Sequence, residues 1–241
     1  MTDLSIVIPA KNEAENIETL LDGIDAALAP SFDYEVIVVD DASDDGMAAI
    51  LRARLDRAPR LRVLRNDRSG GQSAAVHSGV LVARGAICAT LDGDGQNPPE
   101  ELPKLVAPLF AAASDTVALV AGQRVGRQDT MSKKLASKFA NALRARILHD
   151  GTRDTGCGLK AFRREAFLAL PYFDHMHRYL PALFARDGWQ VAHVDVSHRP
   201  RGGGHSHYSN LQRAMVGVAD LMGVAWLIKR NKKSRPTEVT K

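Results

Sequence analysis

The sequence predicts an α/β domain with a mostly parallel, twisted sheet and helices on both faces. Two observations carry that prediction. Short apolar runs are each followed by a polar loop and then by apolar residues at helical spacing, the order of a strand, a crossing and a helix. Acidic side chains collect just after those runs, at the carboxyl ends of buried strands, which is the edge where open α/β sheets bind ligands. Length and composition agree: 241 residues with 45% hydrophobic and 25% charged describe one ordinary globular domain with a sizeable core.

The first unit is Leu4 to Pro9, an apolar run stopped by proline, then Ala10-Lys11-Asn12-Glu13, then a helix marked by Ile17, Leu20, Leu21 and Ile24. In the loop, Asn12 and Glu13 offer side chains to the base and ribose of a nucleotide, or else cap the helix. The second unit is Tyr34 to Val39, ending in Asp40-Asp41-Ala42-Ser43-Asp44-Asp45-Gly46 before another helix. The third spans residues 68 to 85, where Gly70 and Gly71 free the turn and small residues let a helix approach the sheet. It lacks the Gly-Lys-Ser/Thr ending of a P-loop, and His77 reads as structural.

The fourth unit is the most informative. Leu91-Asp92-Gly93-Asp94-Gly95-Gln96-Asn97 sets two carboxylates and an amide after an apolar run, and Pro98-Pro99-Glu100 starts the next helix. A sparse set of oxygen donors suits a hard divalent cation and leaves positions for a substrate's phosphates. Further on come Gly122-Gln123-Arg124, the segment Asp154 to Glu165, and Val194 to Tyr208.

In this order, "V-I-P-x-x-N-E", "V-V-D-D-x-S-D-D-G" and "D-x-D" resemble glycosyltransferase family 2 over residues 4 to about 208. Asp92, Asp94 and Gln96 are similar to the "D-A-D-x-Q" version found in dolichyl- and polyprenyl-phosphate mannosyltransferases. The resemblance implies a GT-A, Rossmann-like fold over residues 1–208 and a nucleotide contact by Pro9, Ala10, Asn12, Glu13 and Asp41. Gly70, Gln72, Asp92 and Ser206 are expected to join that substrate site, with Asp40 structural. It implies Mg2+ or Mn2+ held by Asp94 and Gln96, and catalytic roles for Asp94, Arg124, Asp154, Arg199 and Arg201. The chain departs from the pattern at residues 202 to 207, with an extra glycine and histidines flanking Ser206.

The expected reaction is inverting transfer of a hexosyl group from a nucleotide sugar to a polyprenyl phosphate, with GDP-mannose ahead of UDP-glucose or UDP-N-acetylglucosamine. A lipid phosphate is already anionic and needs cations rather than a base; Lys133 and Lys134 join the arginines as candidates, or are solvated surface charge. A saccharide hydroxyl would need a base, for which Asp154 is the candidate. A nucleotide-sugar-binding protein without turnover would lack Asp94 and Gln96.

The net charge of +4 and 5% aromatic residues, without finger spacing or stacking aromatics, disfavour nucleic acid and favour an anionic lipid surface. Leu211 to Ile228 approaches spanning length, but Arg213 and Asp220 interrupt it. Residues 209–231 read either as an amphipathic helix in the membrane interface or as one packed on the domain. Residues 232–241 read as a basic flexible tail. Two cysteines without C-x-x-C spacing and a start without a signal region predict a cytoplasmic protein, peripheral on the inner face of the membrane.

Overall fold

The computed structural model describes residues 2–111, 116–125, 144, 146–148, 151–152, 154–199, 210–230 and 234, with backbone alone for 210–216. Its centre is a seven-stranded sheet in the order β3-β2-β1-β4-β6-β5-β7. The strands are β1 (Leu4–Ala10), β2 (Tyr34–Asp40), β3 (Leu61–Arg65), β4 (Ile87–Thr90), β5 (Val117–Arg124), β6 (Lys160–Arg163) and β7 (Gln190–Val196). Only β6 runs against its neighbours, pairing antiparallel with both β4 and β5. Ala10, Asp40, Thr90, Arg124 and Val196 therefore end their strands on one edge, and Lys160 begins β6 there.

Seven helices are described: α1 (Ile17–Leu28), α2 (Met47–Leu55), α3 (Gly71–Val82), α4 (Leu102–Phe110), α5 (Arg164–Leu168), α6 (Leu180–Arg186) and α7 (Asn210–Lys229). Alternation along β1 separates two cores. Leu4, Ile6 and Ile8 pack with α1, α2 and α4, while Val7 packs with α3, α5 and α6 on the opposite face. In α1, Ile17, Leu20, Leu21, Ile24 and Leu28 form one fully buried stripe at helical spacing. Each contributes about 1.5–3 kcal/mol relative to exposure.

Small residues bring α3 against the sheet, as expected. A Cβ at Gly79 would lie 2.4 Å from Val7 Cγ1, so even alanine would push the helix away. Cys88 and Cys157 are both buried and unbridged.

Two local expectations change. Pro9 does not stop β1, which continues through Ala10; β4 pairs only as far as Val7, so the missing N–H of proline costs no bond on that side. Pro98 and Pro99 open a 3-10 turn, Pro99–Glu101, and the α-helix proper begins at Leu102. Arg144 is buried, its guanidinium carbon 5.9 Å from the centroid of the Tyr179 ring.

Helix α7 packs on the domain along one side, where Val224 is 1% exposed, Asp220 meets His175 at 3.2 Å and Arg186 Nε donates to the Leu227 carbonyl. Its other side leaves Val218 59%, Met222 70% and Trp226 60% exposed, one stripe at four-residue spacing. One face of the helix is thus packed on the domain and the other is exposed. Among the described residues, no helix is long and apolar enough to cross a membrane. The tail from residue 232 lies outside the described residues apart from Ser234.

Candidate functional site

The loops after β1 and β2 hold each other. Asn12, in the left-handed region at φ 57°, accepts from the Asp44 amide at 3.0 Å, and its own amide donates to Ser43 Oγ at 3.0 Å. Glu13 accepts from Asn16 Nδ2 at 2.8 Å. Asp40 accepts from the Ser43 amide and pairs with Arg65 at 3.2 Å, the structural role expected for it.

Asp41 is a hub. Its Oδ1 accepts from the Gly70 amide and Asn66 Nδ2, and its Oδ2 from the Gly71 amide and Ser69 Oγ, all between 2.6 and 2.9 Å. Burial alone would raise its pKa, but four donors to the charged form outweigh that and hold it below its usual value. The carboxylate thus fixes the start of α3 on the end of β2. The base contact expected of it has to share oxygens already in use.

Asp92 and Asp94 lie where the strand order places them, beyond the end of β4 at the middle of the edge. Asp92 accepts from Gln72 Nε2 at 2.7 Å and Asn97 Nδ2 at 3.2 Å. Burial first, and then the charge of Asp94, raise its pKa. Gly158 lies so close that a Cβ there would be 2.1 Å from Asp92 Oδ2. Gly93 packs on Ala10 and on the Glu13 side chain, bringing the first loop against the acidic one.

The Gln96 amide donates to Asp94 Oδ1 at 3.1 Å. The Arg199 amide donates to the Gln96 carbonyl at 2.9 Å, and its guanidinium pairs with Glu100, both side chains being solvent-exposed. Arg199 thereby fastens the β7 loop to the acidic loop.

These residues fit a divalent cation. The charge of Asp94 raises the proton affinity of Asp92 across Gly93, and Asn97, which donates to Asp92, has a buried Oδ1 with no hydrogen-bond partner among the described residues. Among the described residues there is no group of three His, Cys, Asp or Glu that could hold a metal ion.

Arg124, at the end of β5, forms a two-pronged pair with Asp154: Nε to Oδ2 at 2.6 Å and Nη2 to Oδ1 at 2.9 Å. Asp154 Oδ1 also accepts from the Gly156 amide at 3.1 Å. Both Asp154 oxygens are committed to donors, and the pair orients the guanidinium.

Between these groups lies a cleft of about 150 Å³, lined among others by Gln72, Asp92, Lys160, His177 and Arg178. Lys160 is 4% exposed; burial pulls its pKa down, and its ammonium donates to the Cys157 carbonyl. Ser73 Oγ accepts from the His177 amide at 3.2 Å and lies 2.8 Å from His177 Nδ1. With one O–H and two lone pairs, the hydroxyl serves the amide and Nδ1 together, as donor or acceptor to the ring according to its tautomer. Burial pushes that imidazole down to about 3, so it is neutral.

The edge thus assembles Pro9, Ala10, Asn12, Glu13, Asp41, Gly70, Gln72, Asp92, Asp94, Gln96, Arg124, Asp154 and Arg199 from distant segments. Arg201 and Ser206, like Lys133 and Lys134, lie outside the described residues. Sequence reasoning assigned no role to Lys160, Asn97, His177 or Arg178. Lys160 stands inside a segment already singled out, but Arg178 has no motif around it.

The sequence pattern of glycosyl transferase family 2 matches residues 5–170. The chain belongs to that family. A dodecaprenyl-phosphate galacturonate synthase of Rhizobium johnstonii is 33% identical over 239 residues, covering 97% of this chain and 69% of that protein. An undecaprenyl-phosphate 4-deoxy-4-formamido-L-arabinose transferase of Pectobacterium carotovorum is 35% identical, covering 87% and 64%. The chain therefore spans about two thirds of the length of these family members. Among solved structures, glucosyl-3-phosphoglycerate synthase of Mycobacterium tuberculosis, with Mn2+, UDP and glucosyl-3-phosphoglycerate, superimposes with a TM-score of 0.67 at 19% identity, covering 94% of this chain and 80% of that one. The same enzyme with Mg2+ and UDP gives 0.65 at 21%, covering 94% and 79%. That likeness identifies the fold as GT-A.

Proposed function

We propose that this family 2 chain is an inverting transferase that moves a hexosyl group from a nucleotide sugar to a polyprenyl phosphate. The observation that carries the choice of acceptor is the Arg124–Asp154 pair. Asp154, the candidate base for a hydroxyl acceptor, spends both oxygens on donors, whereas Arg124 is a strand-end cation oriented in advance. A phosphate monoester is largely dianionic at neutral pH, with a second pKa of about 6, so it attacks without a base. The names of the Rhizobium and Pectobacterium relatives, both polyprenyl-phosphate enzymes, support the same acceptor.

In this reading a phosphate oxygen forms the new bond to C1 from the face opposite the diphosphate, the C1–O bond to the diphosphate breaks, and the nucleoside diphosphate leaves. Asp94 and Gln96 would hold Mg2+ or Mn2+, which would supply charge neutralisation for a departing diphosphate. The Mn2+ and Mg2+ complexes of the Mycobacterium tuberculosis enzyme support that choice. Asp92, steadied by Gln72 and Asn97, accepts from donor hydroxyls. The first two loops, through Pro9, Ala10, Asn12, Glu13, Asp41 and Gly70, carry the nucleoside. Arg124, and Arg201 of the β7 loop, draw the acceptor phosphate in and align it.

Helix α7 serves as an attachment element distinct from the catalytic domain. Its exposed Val218, Met222 and Trp226, followed by Lys229 and Arg230, suit the interface of an anionic membrane and a peripheral position on its cytoplasmic face.

The test is a thermal-shift screen of nucleotide sugars with and without Mn2+, GDP-mannose, UDP-glucose and UDP-N-acetylglucosamine first. Ligand stabilisation rises with concentration over affinity. Transfer of the bound donor's sugar to undecaprenyl phosphate in detergent should follow. A donor that binds while only saccharide hydroxyls accept its sugar would replace this reading.

A further inference from the structure

The floor of the cleft carries more positive charge than the proposed chemistry uses. Asp92 is the one carboxylate among its described lining residues, against two cations, Lys160 and Arg178. Lys160 is almost fully buried, with its ammonium on the Cys157 carbonyl. Arg178 closes the 3-10 turn Met176–Arg178 ahead of α6, and among the described residues its guanidinium has neither a hydrogen bond nor an ion pair. His177 between them is a neutral imidazole fastened to Ser73 and balances none of that charge. Lys160 is kept out of water, where a positive charge is costly, and the cleft it shares with Arg178 has one carboxylate for two cations, so an anion would complete the set.

Asp94 and Gln96 do not line this floor. If they face the diphosphate, the group that passes Asp92 and Gln72 into the cleft is the transferred sugar. We propose that Arg178 and Lys160 form a subsite for a carboxylate on that sugar, so that the donor is a nucleoside-diphosphate uronic acid. The planar, five-donor guanidinium matches a carboxylate with two parallel hydrogen bonds, and Lys160, lining the same cleft, adds a point charge. A neutral hexose leaves one of the two cations without a matching negative charge in the cleft. The proposal rests on the transferase reading above and narrows its donor.

The experiment compares a uronate with its parent hexose on one nucleoside diphosphate, UDP-galacturonate against UDP-galactose being the first pair. Binding to the purified chain is measured by thermal shift and calorimetry in Mn2+. The uronate should bind at least about tenfold more tightly, a modest value for a charge-assisted pair. Arg178→Gln, a change at a partly exposed turn that leaves the core intact, should bring the ratio close to one, and Arg178→Lys should restore part of it. Equal affinities in the wild type, or a ratio that Arg178→Gln does not move, would overturn the proposal. A raised KM for polyprenyl phosphate in Arg178→Gln, with the donor ratio unmoved, would assign the anion to the acceptor instead. Binding of neutral donors alone would sink the uronate subsite and spare the transferase; no binding of any nucleotide sugar would remove both.

Discussion

Gly158→Ala tests the geometry of the site with a single methyl group. Gly158 has a backbone conformation open to alanine, so the effect is one of space. The new Cβ would lie 2.1 Å from Asp92 Oδ2, 2.3 Å from its carboxyl carbon and 2.5 Å from Oδ1. Real contacts of this kind stay beyond 3.0 Å, so the carboxylate must retreat by roughly 1 Å. It then loses the bonds from Gln72 at 2.7 Å and Asn97 at 3.2 Å.

Each bond to a charged group is worth about 1.5–3 kcal/mol, but a displaced carboxylate regains water in the open cleft. A net cost of about 1–3 kcal/mol follows, and a domain of this size loses about 2–4 °C in Tm per kcal/mol. Activity should suffer more than stability, because a 1 Å misplacement at a reacting centre costs on the order of 100-fold. The assay pairs thermal unfolding with kcat/KM for sugar transfer to undecaprenyl phosphate. A Gly158→Ala protein with wild-type kcat/KM would refute the idea that Asp92 positions the donor.

Other outcomes are expected from the same geometry. Asp94→Ala should abolish metal-stimulated turnover while the fold, by circular dichroism, is retained; near-native activity without added metal would exclude the cation site. Arg124→Ala should be severe, whereas Asp154→Asn should fall short of the loss of about 100-fold that removal of a general base brings; a larger loss at saturating donor, with binding and folding preserved, would restore the hydroxyl acceptor. Asp41→Asn should destabilise the protein at neutral pH by on the order of 2–4 kcal/mol, since an amide has one acceptor oxygen for four donors. Because the folded-state pKa of Asp41 is lowered, its contribution is full above its ordinary value near 3.8 and is lost as pH falls through the folded value, so wild type and variant should converge in acid. A constant difference in urea unfolding from pH 7 to below pH 3 would contradict that linkage. Replacing Val218, Met222 and Trp226 by serine should abolish sedimentation with anionic vesicles and spare detergent-phase activity; unchanged sedimentation would move the attachment elsewhere.

Much of this was legible in the chain because the signals are local. The strand, loop and helix units around Ile6, Val38 and Ala75, the acidic loops at Asp41 and Asp94, and the close packing of α3 each follow from side-chain period and residue size within about twenty positions. The family resemblance rests on the same segments. What tertiary structure decided are contacts between segments whose spacing carries no period. Asp154 reads from the sequence as a candidate base; only the insertion of antiparallel β6 between β4 and β5 brings its loop back to Arg124 and sets Gly158 against Asp92. Arg178 joins the cleft because α5 and α6 fold over the Val7 face of the sheet. The C-terminal helix shows the limit most plainly: its apolar residues announce a helix with a stripe, but which become core and which remain in solvent depends on where His175, Tyr179 and Arg186 offer it a surface. Periodicity is a property of neighbours along the chain, while strand order and docking are settled by the free energy of burying whole faces against one another.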